Sequence, residues 1–127
     1  MGYTQDYLIR EIEAIGRYVA KLVFKKDTIA YEIKNHDNYS QTDILYNEIQ
    51  LLIKQNKICE GENILFKNLD ENNVEYLKLA VAFYQEINKL DDEKLEQCNF
   101  SRDEVLEGLH DILGIYKIPF FDQTLLK

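Results

Sequence analysis

The sequence has few helix-breaking residues: one proline and five glycines occur in 127 positions. Sheet-rich and mixed α/β domains need many turns, and turns draw heavily on glycine and proline. Hydrophobic residues make up 46% of the chain and charged residues 30%, a composition typical of folded globular proteins. The scarcity of turn residues therefore predicts an all-α fold, and the length suits a single helical domain over residues 1–127.

Long apolar runs and cysteine motifs are also missing. No stretch of about eighteen uncharged apolar residues occurs, so we expect no membrane span. Asp6 precedes any clean apolar run, so we expect no secretory signal peptide and a cytoplasmic location. Cys59 and Cys98 have no CxxC or CxxH motif beside them. We expect both to be buried small hydrophobic residues, with a disulfide as the less favoured alternative.

The charge is strongly negative and unevenly placed. The formal net charge is −8, and residues 35–127 carry nine Lys/Arg against eighteen Asp/Glu. Such acidity repels phosphate backbones and anionic lipid, so we expect neither nucleic acid nor a membrane as partner. The abundance of Lys over Arg, with many Ile, Asn and Tyr, indicates an AT-rich bacterial genome.

The first long helix is predicted over Asp6–Lys26. Its apolar positions recur at steps of three and four: Leu8, Ile12, Ile15, Val19 and Leu22. Gly16 lies within this wide apolar face, where a glycine favours close approach of another backbone. We expect the face to pack on the remaining helices, while residues on it and beside it could bind a second chain: Tyr7, Ile9, Gly16, Tyr18 and Val23.

The remaining periodicity predicts an antiparallel array of about five helices. Further helices are expected over residues 42–56, 59–69 and 73–90, and from an N-cap at Ser101. The third of these is apolar on more than half of its circumference, which places it at the centre.

Three segments are less regular. Residues 27–39 favour a short helix that is followed by a loop at NHDNYSQ, residues 35–41, and a strand through Ile29, Tyr31 and Ile33 is the alternative. Residues 91–100 favour a short helical turn or a loop. The tail, 119–127, should lie back on the fold.

Few residues suggest chemistry. Glu107 and His110 form an ExxH pair, which in di-iron bundles places two metal ligands on one helix face, but a second such pair is missing. The segment DNYSQTD, with Asp37, Ser40 and Asp43, lacks the Gly and terminal Glu of a calcium loop and is interpreted as a capping loop. No Gly-rich phosphate loop occurs.

Two parts of the sequence resemble known protein families. DYLIREIEAIGRYVAKLVF at Asp6–Phe24 and SRDEVLEGLHDILGIY at Ser101–Tyr116 resemble an uncharacterised family of small helical proteins from Gram-positive bacteria. That resemblance implies an all-helical fold and supplies no activity, cofactor or site residues. Leu51–Asn73 resembles the second half of a tetratricopeptide repeat, with Gly61 and Leu65 at the small and large packing positions. Ile49 and Asn68 depart from that pattern, and the closing proline is absent. This second resemblance therefore implies a helical hairpin and not a functional repeat array.

These features favour a non-catalytic protein-protein interaction or scaffold module, without a cofactor. The partner would be another protein or a second copy in a homodimer. The alternative is a metal-binding or enzymatic helical bundle that uses Glu107 and His110.

Overall fold

The structure is a computed structural model that describes residues 2–119, with side chains from residue 6 onward. It contains six α-helices, here numbered in chain order: α1 Gly2–Val19, α2 Gln41–Lys54, α3 Ile58–Asn68, α4 Val74–Asn88, α5 Asp92–Gln97 and α6 Arg102–Ile115. A π-helical turn, Ala20–Phe24, continues α1. No strand occurs in residues 2–119, so the predicted all-α fold is confirmed. Apart from Pro119, the predicted tail lies outside the described residues.

Helix α4 is the central element, as its wide apolar surface predicts. It contacts α1, α2 and α6, while α2 also packs on α3, and α1 on α6. The side chains of Ala80, Tyr84 and Ile87 on α4 are fully buried. On α1, Ile12 and Ile15 are equally buried, so the inner face of that helix belongs to the core. Within the described residues, no helix is long and apolar enough to cross a bilayer.

Helix α1 contacts α4 at Gly16. A Cβ atom added to Gly16 would lie 2.6 Å from Cδ of Gln85 on α4. The Gln85 side chain occupies that space and donates its Nε2 to the Ile12 carbonyl at 2.8 Å. One turn away, Asn88 Nδ2 donates to the Ile9 carbonyl at 3.2 Å. The close neighbour at Gly16 is therefore the Gln85 side chain and not the backbone that was predicted there, and two amide side chains tie the helices together.

Side-chain caps begin α2, α4, α5 and α6, whereas α3 begins without one. Ser101 caps α6: its Oγ accepts from Glu104 N at 3.2 Å, and Glu104 Oε1 accepts from Ser101 N at 2.9 Å. The N-cap predicted for α2, Thr42, is wrong, because Ser40 holds that position and Asp43 completes its capping box. The Thr42 side chain is buried within the first turn.

The short helix predicted over residues 27–39 is wrong. Residues 25–40 form an irregular segment between the π-helical turn and α2, and the alternative strand is absent from it as well. The alternating residues Ile29, Tyr31 and Ile33 do pack against the core. The period-two pattern therefore reflects this packing, although the segment does not pair with a strand. Residues 91–100 contain the short helix α5.

Arg102 ties α6 to the end of α4, and its side chain is buried. Its Nη1 donates to the Asn88 carbonyl at 2.7 Å, and its Nη2 donates to the Leu90 carbonyl at 3.0 Å. Nη2 also pairs with Asp92 Oδ1 at 2.7 Å. One guanidinium thus satisfies carbonyls at the end of α4, where the helix itself supplies no donors.

Candidate functional site

A cleft of about 650 Å³ lies between the 25–40 segment and the N-terminal ends of α2 and α4. Its charged lining is mixed: Lys26, Lys34, Lys78, Glu32, Asp43, Asp70 and Glu75. Lys78 Nζ lies 3.6 Å from Glu75 Oε2 and 5.3 Å from the ring centroid of Phe24. The cleft thus carries both lysines and carboxylates, and this mixed lining does not indicate a ligand of one charge.

The most buried polar groups of the cleft bind one another. The Tyr31 hydroxyl lies 2.5 Å from Asp43 Oδ1 and 2.8 Å from Thr42 Oγ1. A phenol has one proton and a carboxylate can only accept, so Tyr31 donates to Asp43 and accepts from Thr42. Asp43 Oδ2 accepts from Ser40 N at 3.0 Å. This network acts as a latch that fixes the 25–40 segment to α2.

The electrostatics of the latch support a structural role. The hydrogen bond from Tyr31, followed by that from Ser40 N, lowers the pKa of Asp43, and the charge of His36 adds to the effect. Burial and the Asp43 hydrogen bond raise the pKa of Tyr31. Both shifts favour an ionised Asp43 beside a neutral Tyr31, which is the pairing that the latch needs. The DNYSQTD segment is thus a capping loop, as predicted.

A second concavity is a groove of about 280 Å³ between α3 and α6, here called the acidic groove. Its lining comes from both helices: Glu62, Asn63, Phe66, Glu104, Glu107, Gly108 and Asp111. Glu104, Glu107 and Asp111 follow at i, i+3 and i+7, so they share one face of α6 over about 10 Å of its axis. Among the described residues, no ion pair involves any of the four groove carboxylates.

The floor of the acidic groove depends on Gly108. A Cβ there would lie 2.2 Å from Oη of Tyr84 and 2.7 Å from Glu62 Oε2. The missing side chain leaves space for the fully buried Tyr84 to donate its hydroxyl to Glu62 Oε2 at 2.6 Å. Glycine at 108 therefore allows α4 to hold a carboxylate of α3 beneath the line of acids on α6.

Glu62 is the groove carboxylate whose ionised form is disfavoured by its surroundings. Burial raises its pKa, and the neighbouring carboxylates of Glu104, Asp111 and Glu107 raise it further, while the hydrogen bond from Tyr84 opposes them. The pKa of Tyr84 is raised as well, first by burial and then by Glu62. Within the described residues these four acids have no ion-pair partner, so a positive ligand beside them would favour the ionised form of Glu62.

The residues predicted as an interface are spread over the α1 region. Gly16 is buried against Gln85, while Tyr18 and Val23 are partly buried against the core. The Tyr18 hydroxyl donates to the Pro119 carbonyl. Ile9 is half-buried and Tyr7 is 40% exposed. An interface built from this set stays a prediction, although contacts within the chain already involve Ile9, Gly16, Tyr18 and Val23.

The ExxH pair lies on α6, but its members differ in surroundings. Glu107 is exposed and lines the acidic groove, whereas His110 is half-buried and is not among the groove residues. In the part of the chain that the structure describes, no group of three or more His, Cys, Asp or Glu side chains could hold a metal ion. The metal alternative thus finds no ligand set there.

Three of the groove carboxylates were not anticipated from the sequence: Glu62, Glu104 and Asp111. The i, i+3, i+7 spacing of acids on α6 is visible in the sequence and could have indicated a charged face. Glu62 could not have been found that way, because its place depends on how α3 lies against α4 and α6.

Fold and groove together define a small all-helical protein with a carboxylate-lined surface groove. The model of a family of unknown function (DUF6483) matches residues 2–117. The chain therefore belongs to this family. The predicted resemblance to an uncharacterised family is thereby confirmed. No curated protein and no solved structure matches the chain significantly.

Proposed function

We propose that the protein is a non-catalytic, cytoplasmic interaction module that binds a basic segment of a protein partner in the acidic groove. The observation that carries the proposal is the set of four carboxylates, on two helices, that face one groove without an ion pair in the described chain. Charge complementarity of this kind sets partner choice and speeds association.

The spacing of the carboxylates favours a basic segment over a single ion. Glu104 and Asp111 are separated by about two helical turns, or about 10 Å. One metal ion needs its ligands converging at about 2–2.6 Å, whereas lysine or arginine side chains spaced along a peptide could each meet one carboxylate. Phe66 on α3 adds an aromatic wall against which the aliphatic part of a basic side chain could pack.

The test compares two variants with equal loss of charge. The groove variant carries Glu104→Gln, Glu107→Gln and Asp111→Asn. The control variant carries three changes at exposed acids outside the groove: Glu13→Gln, Asp27→Asn and Glu48→Gln. Glutamine at 104 preserves the capping box of α6, because an amide oxygen can still accept from Ser101 N.

The probe is a labelled helical peptide with three lysines at the spacing of Glu104, Glu107 and Asp111, measured by fluorescence anisotropy. We expect the groove variant to bind roughly tenfold more weakly than the wild type, the control variant to bind nearly as well, and salt to weaken binding. If both variants lost the same amount of affinity, net charge alone would explain the binding, and the proposal would be overturned.

A second copy of the chain is the competing occupant. Arg10 and Arg17 on α1 and Lys21 in the π-helical turn form an exposed basic row that could face the acidic groove of another molecule. Sedimentation velocity separates the two cases. A monomer is expected, while a dimer that the groove variant dissociates would make the occupant this chain itself and contradict the proposed partner.

A further inference from the structure

The two cysteines lie where two turns meet. Cys59 Sγ, at the start of α3, lies 3.8 Å from the Asn99 carbonyl, and Cys98 Sγ, at the end of α5, lies 3.8 Å from Asn56 Oδ1. Each thiol thus contacts the turn that adjoins the other cysteine. These crossed contacts bring the two thiols to one junction although they are thirty-nine positions apart in the sequence.

Both turns have defined backbone conformations. Asn56 has φ 62° and Asn99 has φ 56°, which is the left-handed region that asparagine tolerates better than most residues. The Phe100 amide closes the second turn on the Leu95 carbonyl at 3.0 Å. The junction therefore joins two ordered helix ends and not two loose loops.

The two thiols differ in access. Cys98 is buried, as the sequence predicts, but the expectation of a buried Cys59 is wrong, because that residue is exposed. Its place in the first turn of α3 directs it to the surface beside the α5–α6 turn. An exposed thiol next to a buried one is the arrangement that thiol–disulfide exchange uses: the first attacks, and the second resolves.

We propose that Cys59 and Cys98 form a reversible disulfide that joins the start of α3 to the α5–α6 turn. The oxidant is a low-molecular-weight disulfide. The Cys59 thiolate attacks one of its sulfur atoms, the small S–S bond breaks, and one small thiolate leaves. The Cys98 thiolate then attacks the Cys59 sulfur and displaces the second small thiolate. The two protein protons go to the released thiolates, so the protein loses two electrons and the small disulfide gains them.

The surroundings of Cys59 determine how fast the exchange runs. The Cys59 thiol is exposed, but the protein around it partly desolvates it and so raises its pKa; the carboxylates of Glu104 and Glu62, followed by Cys98, raise the pKa further. The thiolate fraction, and with it the exchange rate, should therefore increase with pH. The same carboxylates should repel anionic disulfides, so a neutral reagent is the better probe. In a reducing compartment such a bond would be transient, as in redox-sensing proteins.

The test uses the folded wild-type chain and bis(2-hydroxyethyl) disulfide. We expect both thiols to disappear in a titration, the intact mass to fall by two hydrogen atoms, and a peptide map to link Cys59 with Cys98. Dithiothreitol should restore both thiols. A reaction that ends with the reagent attached to Cys59, or with dimers linked through Cys59, would overturn the proposal.

Two variants assign the roles. Cys98→Ala should stop at the mixed disulfide on Cys59, whereas Cys59→Ser should react slowly, because Cys98 is buried. The melting temperature of oxidised wild type should exceed that of the reduced form, and neither variant should show this difference. Equal reactivity of Cys59→Ser and wild type would contradict the order of attack. None of these readouts depends on the basic-segment proposal.

Discussion

At the scale of single residues, Gly108 has the sharpest steric requirement. A methyl group there would lie 2.2 Å from Tyr84 Oη, and the tyrosine is fully buried and cannot move aside. We predict that Gly108→Ala lowers the free energy of unfolding by about 1–3 kcal/mol, because overpacking outweighs the gain in helix propensity. Denaturant unfolding followed by circular dichroism measures the change.

Gly114 on the same helix is the matched control. An added Cβ there would meet nothing within 4 Å. Gly114→Ala should therefore be neutral or stabilising, by up to about 1 kcal/mol. If both alanines had the same effect, the close contact between Gly108 and Tyr84 would not exist as described.

Single residues also show where sequence reasoning ends. The capping box at Ser101 was predicted, because its two residues are neighbours in sequence and their hydrogen bonds are local. Arg102 lies between them, yet nothing in the segment indicates that its side chain is buried against Asn88 and Leu90. Its partners come from the end of another helix, and only the packing of α6 beside α4 brings them together.

At the scale of elements, the Tyr31 latch holds a sixteen-residue segment that has no regular structure. We predict that Tyr31→Phe lowers the free energy of unfolding by about 1.5–3 kcal/mol, because Asp43 loses a charge-assisted hydrogen bond inside the fold. The 25–40 segment should also be cleaved faster in limited proteolysis. Tyr39→Phe, at an exposed ring of the same segment, is the control and should leave both measurements near wild type.

The acidic groove predicts a pH dependence. Because the pKa of folded Glu62 lies above its ordinary value of 4.5, the folded state holds this proton more tightly than the unfolded state. The resulting stability is fully present below pH 4.5 and is lost as pH rises through the folded pKa. We therefore predict that Glu62→Gln is more stable than wild type at neutral pH, and that the difference shrinks toward pH 4.5.

Denaturation midpoints measured over this range test that prediction. Glu60→Gln removes a charge from the exposed side of α3 and should follow the wild-type curve. A Glu62→Gln curve parallel to that of wild type at all pH values would contradict the repulsion assigned to the groove.

Helices were easier to predict than the segment that joins them. The periodicity of apolar residues located the long helices, because each has one face set by the core. The short helix predicted within residues 27–39 was wrong, because the spacing of Ile29 and Ile33 fits a helix as well as an irregular segment. Their actual conformation follows from the anchor at Tyr31, whose partners belong to α2.

At the scale of the whole molecule, the acidic residues that give the net charge of −8 lie in two kinds of environment. Much of it is dispersed over exposed positions, where it favours solubility. Four of the acids instead meet in the acidic groove, where burial and the neighbouring carboxylates disfavour the charge of Glu62. Composition predicted the acidity and excluded partners of like charge, but it could not separate these two groups, because the groove exists only once α3 and α6 are placed.

An NMR titration of the isotope-labelled protein with the three-lysine peptide tests the central claim most directly. The account predicts that amide shifts change mainly in residues 62–66 of α3 and 104–111 of α6, that they saturate, and that the groove variant abolishes them. Shifts spread evenly over the acidic surface, or concentrated along α1, would contradict the claim that the acidic groove is the binding site.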